Sequence, residues 1–252
     1  MSWIRKNISK KREQQNTLPN KTPENFSNRL ETCTVISDSE SNSSCLPFID
    51  AIIYINLEHR TDRKEHCLNE IKKIDPDLSK THRINAIYNQ NGAIGCIASH
   101  IKALELFLEN TAWRSVLILE DDFTFISDSS TTIHKLISYM FNSLPFYNVI
   151  LLCYGKHNLK YEATGINGIH RILSAQTASG YIVNKNYLMT LLYNFRWAYN
   201  NMIKHGYRDE WCTDQSWKTL MPLANWYAYV DRIGCQYNNY SDIEKKEVAY
   251  GC

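Results

Sequence analysis

Apolar runs and helical periods alternate along most of this chain. "AIIYINL" (51–57), "SVLILE" (115–120) and "YNVILLCY" (147–154) are continuous apolar, β-branched stretches. Runs of this kind, without polar alternation, suit strands covered on both faces. "TDRKEHCLNEIKKI" (61–74) repeats Cys67, Leu68, Ile71 and Ile74 near a 3.6-residue period, with Thr61 or Asp62 able to cap. "GAIGCIASHIKALELFLEN" (92–110) is apolar on most sides and predicts a buried helix. "TIHKLISYMFNSL" (132–144) predicts a further helix, 159–173 a hairpin and "ASGYIVN" (178–184) a strand. A last helix is expected from about Lys185 to Phe195, and a last strand over 226–230. Strands alternating with helices predict an α/β fold with helices on both faces of the sheet. The hairpin and the 226–230 strand need not run parallel to the rest, so the sheet is expected to be mixed.

Residues 1–47 break this pattern. They are rich in Lys, Asn, Ser, Thr and Glu and end in "SDSESNSSC". Such a segment buries too little surface to offset its chain entropy, so a disordered polar tail is expected, followed by one globular domain over 48–252. Within the tail, "MSWIRKNISKK" reads as solvated chain or, alternatively, as a short basic amphipathic helix peripherally touching a membrane or a partner.

Composition narrows the function classes. Apolar residues make up 44% of the chain, enough for a core, and the net charge of +2 gives no pull towards nucleic acid. No stretch approaches the roughly 18 apolar residues of a membrane span. The N-terminus has charge but no apolar segment behind it, so no secretory signal is read and a cytoplasmic location is expected, the host's if the chain is viral. None of the eight cysteines forms a CxxC pair, which argues against a zinc site of the usual spacing. Free, mostly buried thiols are expected instead of disulfides.

The candidate chemistry begins at "VLILEDDF" (116–123), where four buried aliphatics run into Glu120, Asp121 and Asp122. Open α/β sheets bind ligands outside the carboxyl ends of their strands. In extended chain Glu120 and Asp122 share a face and Asp121 lies opposite. Two carboxylates so spaced suit one hard cation, Mn²⁺ or Mg²⁺, which keeps positions open for phosphate oxygens. The plainer alternative is that Asp121 or Asp122 caps the next segment. In "INLEHRTDRKEH" (55–66), Asn56 sits at a strand end, and the forks of Arg60 and Arg63 suit phosphate or a uracil edge unless they merely pair with Asp62 or Glu65. "GAIGCIASH" (92–100) opens a helix with Gly92 and Gly95, where backbone can approach a ligand and an anion is favoured. Ser99 and His100 follow one turn later; His100 on a buried helix could equally be a satisfied core histidine.

Together these stretches resemble glycosyltransferase family 25, which includes bacterial lipooligosaccharide glycosyltransferases and collagen hydroxylysine galactosyltransferases, with relatives in large DNA viruses. The resemblance rests on "YINLEHRTDR", "GAIGCIASHIKAL", "LILEDDF", "TASGYIVN" and "CQYNNYSDIE", in that order, over about residues 50 to 244. It implies a GT-A fold with a nucleotide-binding half and an acceptor half. It also implies a UDP-sugar donor, a divalent cation and inversion at the sugar carbon, with a glycan, lipid-linked glycan or protein as acceptor. Metal binding would fall to Glu120, Asp121 and Asp122, with Asp122 the first choice. Asn56, Arg60 and Arg63 would line the nucleotide, with Ser99 and His100 in support or near the diphosphate. Thr177, Ser179 and Tyr181 would meet the donor sugar, and Gln236, Ser241 and Asp242 would close over the diphosphate or support the site. Inversion needs a general base opposite the leaving group. "GYRDEWCTDQSW" (206–217) offers Asp214, then Glu210, then Asp209, beside Tyr207, Trp211 and Trp217, whose rings suit sugar stacking. Asp214 could instead cap a helix. The rival functions are a non-catalytic nucleotide-sugar-binding module, another metal-dependent phosphate-transfer enzyme, and a structural protein whose acidic turn is only a cap.

Overall fold

The computed structural model describes residues 46–237 with their side chains, and beyond them the backbone of Asn239–Ser241 and Lys246–Val248. The polar tail up to residue 45, with its basic stretch, lies outside the described residues, as do Asp242 and the side chain of Ser241.

Twelve strands and five α-helices are described. β1 (Ala51–Asn56), β2 (Thr81–Asn85), β3 (Ser115–Glu120), β5 (Val149–Leu151), β6 (Lys160–Ala163), β7 (Ile169–Ser174), β8 (Gly180–Asn184) and β9 (Trp226–Tyr229) form the main sheet. Their order is β2-β1-β3-β8-β5-β9-β7-β6. β1 pairs in parallel with β2 and β3, and β5 with β9, while β8 lies antiparallel between β3 and β5. The sheet is therefore mixed, as expected. β4 (Phe123–Phe125) pairs with β10 (Gly234–Gln236), and β11 (Asn239–Ser241) with β12 (Lys246–Val248).

Strand alternation sorts the apolar residues into two cores. Ile53, Ile55, Val116, Ile118, Tyr181 and Val183 face α2 (Gly92–Glu109) and α4 (Lys185–His205). Ile52, Tyr54, Leu117, Leu119 and Ile182 face α1 (Thr61–Ile71) and α3 (Ser130–Ser143). Helices thus cover both faces. α4 runs ten residues past its expected end, because Ala198 and Met202 continue the buried stripe of Leu191, Leu192 and Phe195 until Gly206, at φ 84°, stops it. β2 escaped the pattern because only Ile84 of its five residues is buried. The five described cysteines, Cys67, Cys96, Cys153, Cys212 and Cys235, are free thiols. No described helix is long and apolar enough to cross a membrane.

β8 runs opposite to β3, so its start reaches the same sheet edge as the ends of β1, β3 and β5. The acidic turn is held at that edge by Phe123. Its fully buried ring covers Gly180 of β8 and Gly234 of β10, where a Cβ would sit 2.4 Å and 2.2 Å from it. Gly180→Ala is expected to lower unfolding free energy by about 1–3 kcal/mol through overpacking, read by urea denaturation. Phe123→Leu in the same chain should recover part of that loss, and a lone Gly180→Ala with unchanged stability would contradict the packing.

Candidate active site

The end of β3 and the turn after it send Glu120 to one set of partners and Asp121 and Asp122 to another. Glu120 turns towards α2, where its Oε1 lies 2.9 Å from His100 Nε2 and accepts from Cys96 Sγ at 3.6 Å. Asp121 accepts from Asn56 Nδ2 at 2.7 Å and from an Arg63 guanidinium nitrogen at 3.1 Å. The same Arg63 nitrogen lies 3.4 Å from Asp122 Oδ2, which Gln236 Nε2 approaches at 3.5 Å. The expectation that Asp121 lies opposite Asp122 is therefore corrected. Alternation ends with β3 at Glu120, and in the turn that follows Asp121 and Asp122 meet one guanidinium. The capping alternative also falls, since the turn leads into β4, and the next helix, α3, is capped by the Ser129 hydroxyl.

These contacts set the acids' proton affinities apart. Burial presses the Glu120 carboxyl upward, but the His100 bond and charge, Cys96 and Arg63 together outweigh it and leave it lowered. At Asp121 burial wins over Arg63 and Asn56, and the carboxyl is raised. Burial, with the Glu120 charge added, drives the Cys96 thiol well above its ordinary range.

Asn56 is buried and acts as a clamp: besides holding Asp121, it donates to the Arg60 carbonyl at 3.0 Å and accepts from Arg83 at 3.1 Å. Arg60 grips Asp62 through two nitrogens at 3.0 and 2.9 Å, so its plainer reading as an Asp62 partner is the one seen. The glycines of α2 serve the fold first. A Cβ on Gly95 would lie 2.4 Å from the Ile87 carbonyl oxygen, and the Ser99 hydroxyl donates to Gly95 and accepts from Ile87 N–H at 2.7 and 2.8 Å. Gly95 and Ser99 thus draw the 86–89 loop over the helix start. His100 is fully buried, with Nδ1 2.8 Å from the Tyr181 hydroxyl.

Two adjoining pockets open at this edge. The first is lined by Arg63, Tyr88, Gly92, Asp121 and Asp122, with Gly95, Ser99 and His100 behind. The second, about 440 Å³, is lined by Lys156, His157, Thr177, Cys212, Thr213 and Asp214. Cys96, Glu120 and Gln236 line both and form the seam between them. Asp214 accepts from the Thr177 N–H at 2.9 Å. That bond anchors Thr177 at φ 81°, a strained backbone for a β-branched residue. Asp214 lies in the first turn of α5 (Thr213–Ser216) but makes no side-chain cap. Burial is the main influence raising its carboxyl, and the Glu120 charge adds to it.

Asp209 and Glu210 lie apart from the pockets. Both are exposed, in the turn Asp209–Trp211, where Asp209 accepts from the Tyr207 hydroxyl and Glu210 lies 3.6 Å from Arg208. Trp211 and Trp217 are buried, and Trp217 packs edge-on against Tyr181 and Trp226, so two of the three expected stacking rings belong to the core, while Tyr207 stays exposed. Ser179 is fully buried, and its hydroxyl has no hydrogen-bond partner among the described residues. Sequence reasoning missed Cys96, Thr213, Lys156 and His157 as site residues. Lys156 and His157 follow the β5 run, so the strand-end rule applied at β3 would have found them.

No family model matches the chain, and no curated protein matches it. Among solved structures, it is similar to a glycosyltransferase involved in the glycosylation of the major capsid of PBCV-1, at TM-score 0.50 and 9% identity over 77% of this chain and 95% of that one. It is also similar to a UDP-glucose pyrophosphorylase complexed with UDP-glucose, at TM-score 0.45 and 10% identity over 71% and 72% of the two chains. A third is the glycosyltransferase GlyE in Streptococcus pneumoniae TIGR4, at 0.42 and 11% over 73% and 45%. The first likeness carries the fold: the chain has the mixed α/β architecture of GT-A-type glycosyltransferases, as expected.

Removing Arg63 would take the positive charge from between Asp121 and Asp122 and leave them to neutral partners such as the Asn56 and Gln236 amides. Arg63→Ala is expected to cost about 3–5 kcal/mol at neutral pH. Without the guanidinium, which lowers it, the Asp121 carboxyl rises further above its unfolded value. The deficit is then smallest below the unfolded pKa and grows as pH rises through the folded one. Urea unfolding across pH reads this, and a pH-independent deficit would contradict it.

Proposed function

We propose that this chain is a metal-dependent, inverting glycosyltransferase of the family 25 type that moves a hexose from a UDP-sugar to a hydroxyl of a glycan, lipid-linked glycan or protein. The observation that carries the reading is the pair of pockets meeting at Glu120 and Gln236, with Asp122 in one and Asp214 in the other. The first pocket takes the nucleotide diphosphate, beside the α2 N-terminus, whose partial charge favours phosphate. The second takes the acceptor, and the transferred sugar spans the seam.

The acids fit a hard divalent cation, Mn²⁺ or Mg²⁺, held through oxygen. Asp122 is the ligand of choice. Both oxygens of Asp121 are engaged by Asn56 and Arg63, so Asp121 positions the turn, and Glu120 is bound to His100. When bound, the cation neutralises charge on the departing UDP. Arg63 screens Asp121 and Asp122 so that two acids can stand beside a diphosphate. Asp214 takes the acceptor hydroxyl proton as that oxygen bonds to the anomeric carbon and the bond to the UDP oxygen breaks. Its raised proton affinity suits a base working nearer neutral pH. Asp209 and Glu210, exposed outside both pockets, rank behind it.

With Mn²⁺, the protein is expected to release UDP and free sugar slowly from one member of a UDP-sugar panel, and Asp122→Ala or excess chelator should abolish this. Release of UMP and sugar phosphate would instead indicate phosphate transfer, and full activity in chelator would remove the metal role. Asp214→Asn should lower acceptor-dependent kcat by about 10²–10⁴-fold while leaving UDP binding intact. The wild-type acid limb should fall above the ordinary aspartate pKa, because protonated Asp214 cannot accept the proton; a limb at the ordinary value would count against this base.

A further inference from the structure

Cys96 and His100 lie one turn apart on α2 and face Glu120 at the end of β3. Cys96 Sγ, one His100 ring nitrogen and a Glu120 carboxylate oxygen all lie within 4.8 Å of one another. We propose that these three side chains form a zinc site at the seam of the two pockets, separate from the hard-cation position at Asp122, and that filling it blocks the crevice.

The donor set favours this ion. Sulfur, nitrogen and oxygen from three protein ligands, with one position left open, suit tetrahedral Zn²⁺. Thiolate and imidazole discriminate against Mg²⁺ and Mn²⁺. The i,i+4 spacing places both soft ligands on one helix face, so a zinc site is possible without the CxxC pair that the sequence lacks. The ligands come from a packed helix and a central strand, so they are brought together before any ion arrives. The remaining ring nitrogen of His100, Nδ1, is 2.8 Å from the Tyr181 hydroxyl, which fixes the ring with Nε2 towards the site. On binding, His100 releases to solvent the Nε2 proton that it donated to Glu120 and holds one on Nδ1, donated to the Tyr181 hydroxyl. Cys96 releases its thiol proton to solvent as the zinc–sulfur bond forms, so no oxidant is needed and affinity rises with pH.

The route in is open, because Cys96 and Glu120 line both pockets. An ion there would sit between donor and acceptor and take Glu120 from its bond to His100. The binding goes beyond the proposed sugar transfer and can be read without any nucleotide sugar; only the blocking of the crevice rests on that reading.

Co²⁺, as a spectroscopic stand-in, is expected to give the reduced full-length protein a near-ultraviolet thiolate-to-cobalt band and tetrahedral visible bands, both displaced by one equivalent of Zn²⁺. Cys96→Ser should abolish the near-ultraviolet band, whereas Cys212→Ser, whose sulfur lies beside Tyr207 at 3.7 Å, should keep it. In the unaltered protein, Zn²⁺ should slow alkylation of Cys96 but not of Cys212, mapped by peptide mass, and Mn²⁺ should protect neither. No cobalt band, a band surviving Cys96→Ser, or equal protection of the two cysteines would overturn the proposal.

Discussion

Three carboxylates in sequence at the end of a buried strand repel one another, and the site is organised around relieving that repulsion. Water is largely excluded, since Asp121 and Asp122 are each 7% exposed. Charges so placed must be paired or hydrogen-bonded. The chain answers with one guanidinium for two acids and one imidazole for the third. Arg63 comes from α1 and His100 from α2, helices on opposite faces of the sheet. Compensation from both faces is what lets Glu120 turn one way and Asp121 and Asp122 the other. Asn56 then locks Asp121 to the end of β1, so the turn is tied to three elements at once.

Strand direction extends this arrangement to a second pocket. β8 runs antiparallel between β3 and β5, so its approach, 177–179, arrives where the acids leave. The Glu120 N–H donates to the Ser179 carbonyl at 2.9 Å, while Thr177 N–H donates to Asp214. Four consecutive peptides thus connect the acidic turn to the carboxylate of the other pocket. A parallel strand in that position would carry its start to the opposite edge, and Asp214 would have no such neighbour.

Legibility in the sequence followed burial. β1, β3 and α2 were readable nearly to the residue, because continuous apolar runs leave few alternatives. β2 was not, since its polar edge residues Thr81, His82 and Arg83 look like loop. The gathering of Asn56, Arg63 and the acids was readable as a site, because each lies at a strand end or just beyond one. Which acid met which partner was not readable, since alternation has no force past the last ladder residue. Trp217 failed differently: an aromatic beside acids resembles a sugar platform, yet only the three-dimensional packing against Tyr181 and Trp226 reveals a core residue.

The same packing explains why Glu120 and Asp214 can share a crevice and still differ. Both are carboxylates in a region poor in water, and the Glu120 charge raises the proton affinity of Asp214 through repulsion. Glu120 escapes by its bond to His100, which Tyr181 holds in place from the far side of the ring. Asp214 has the Thr177 N–H, the Gln215 amide and the Lys218 charge, too little to offset burial. The result is one lowered and one raised acid on the lining of the second pocket. His100 is therefore the residue through which the core, by way of Tyr181 and Trp217, sets the chemistry of the crevice.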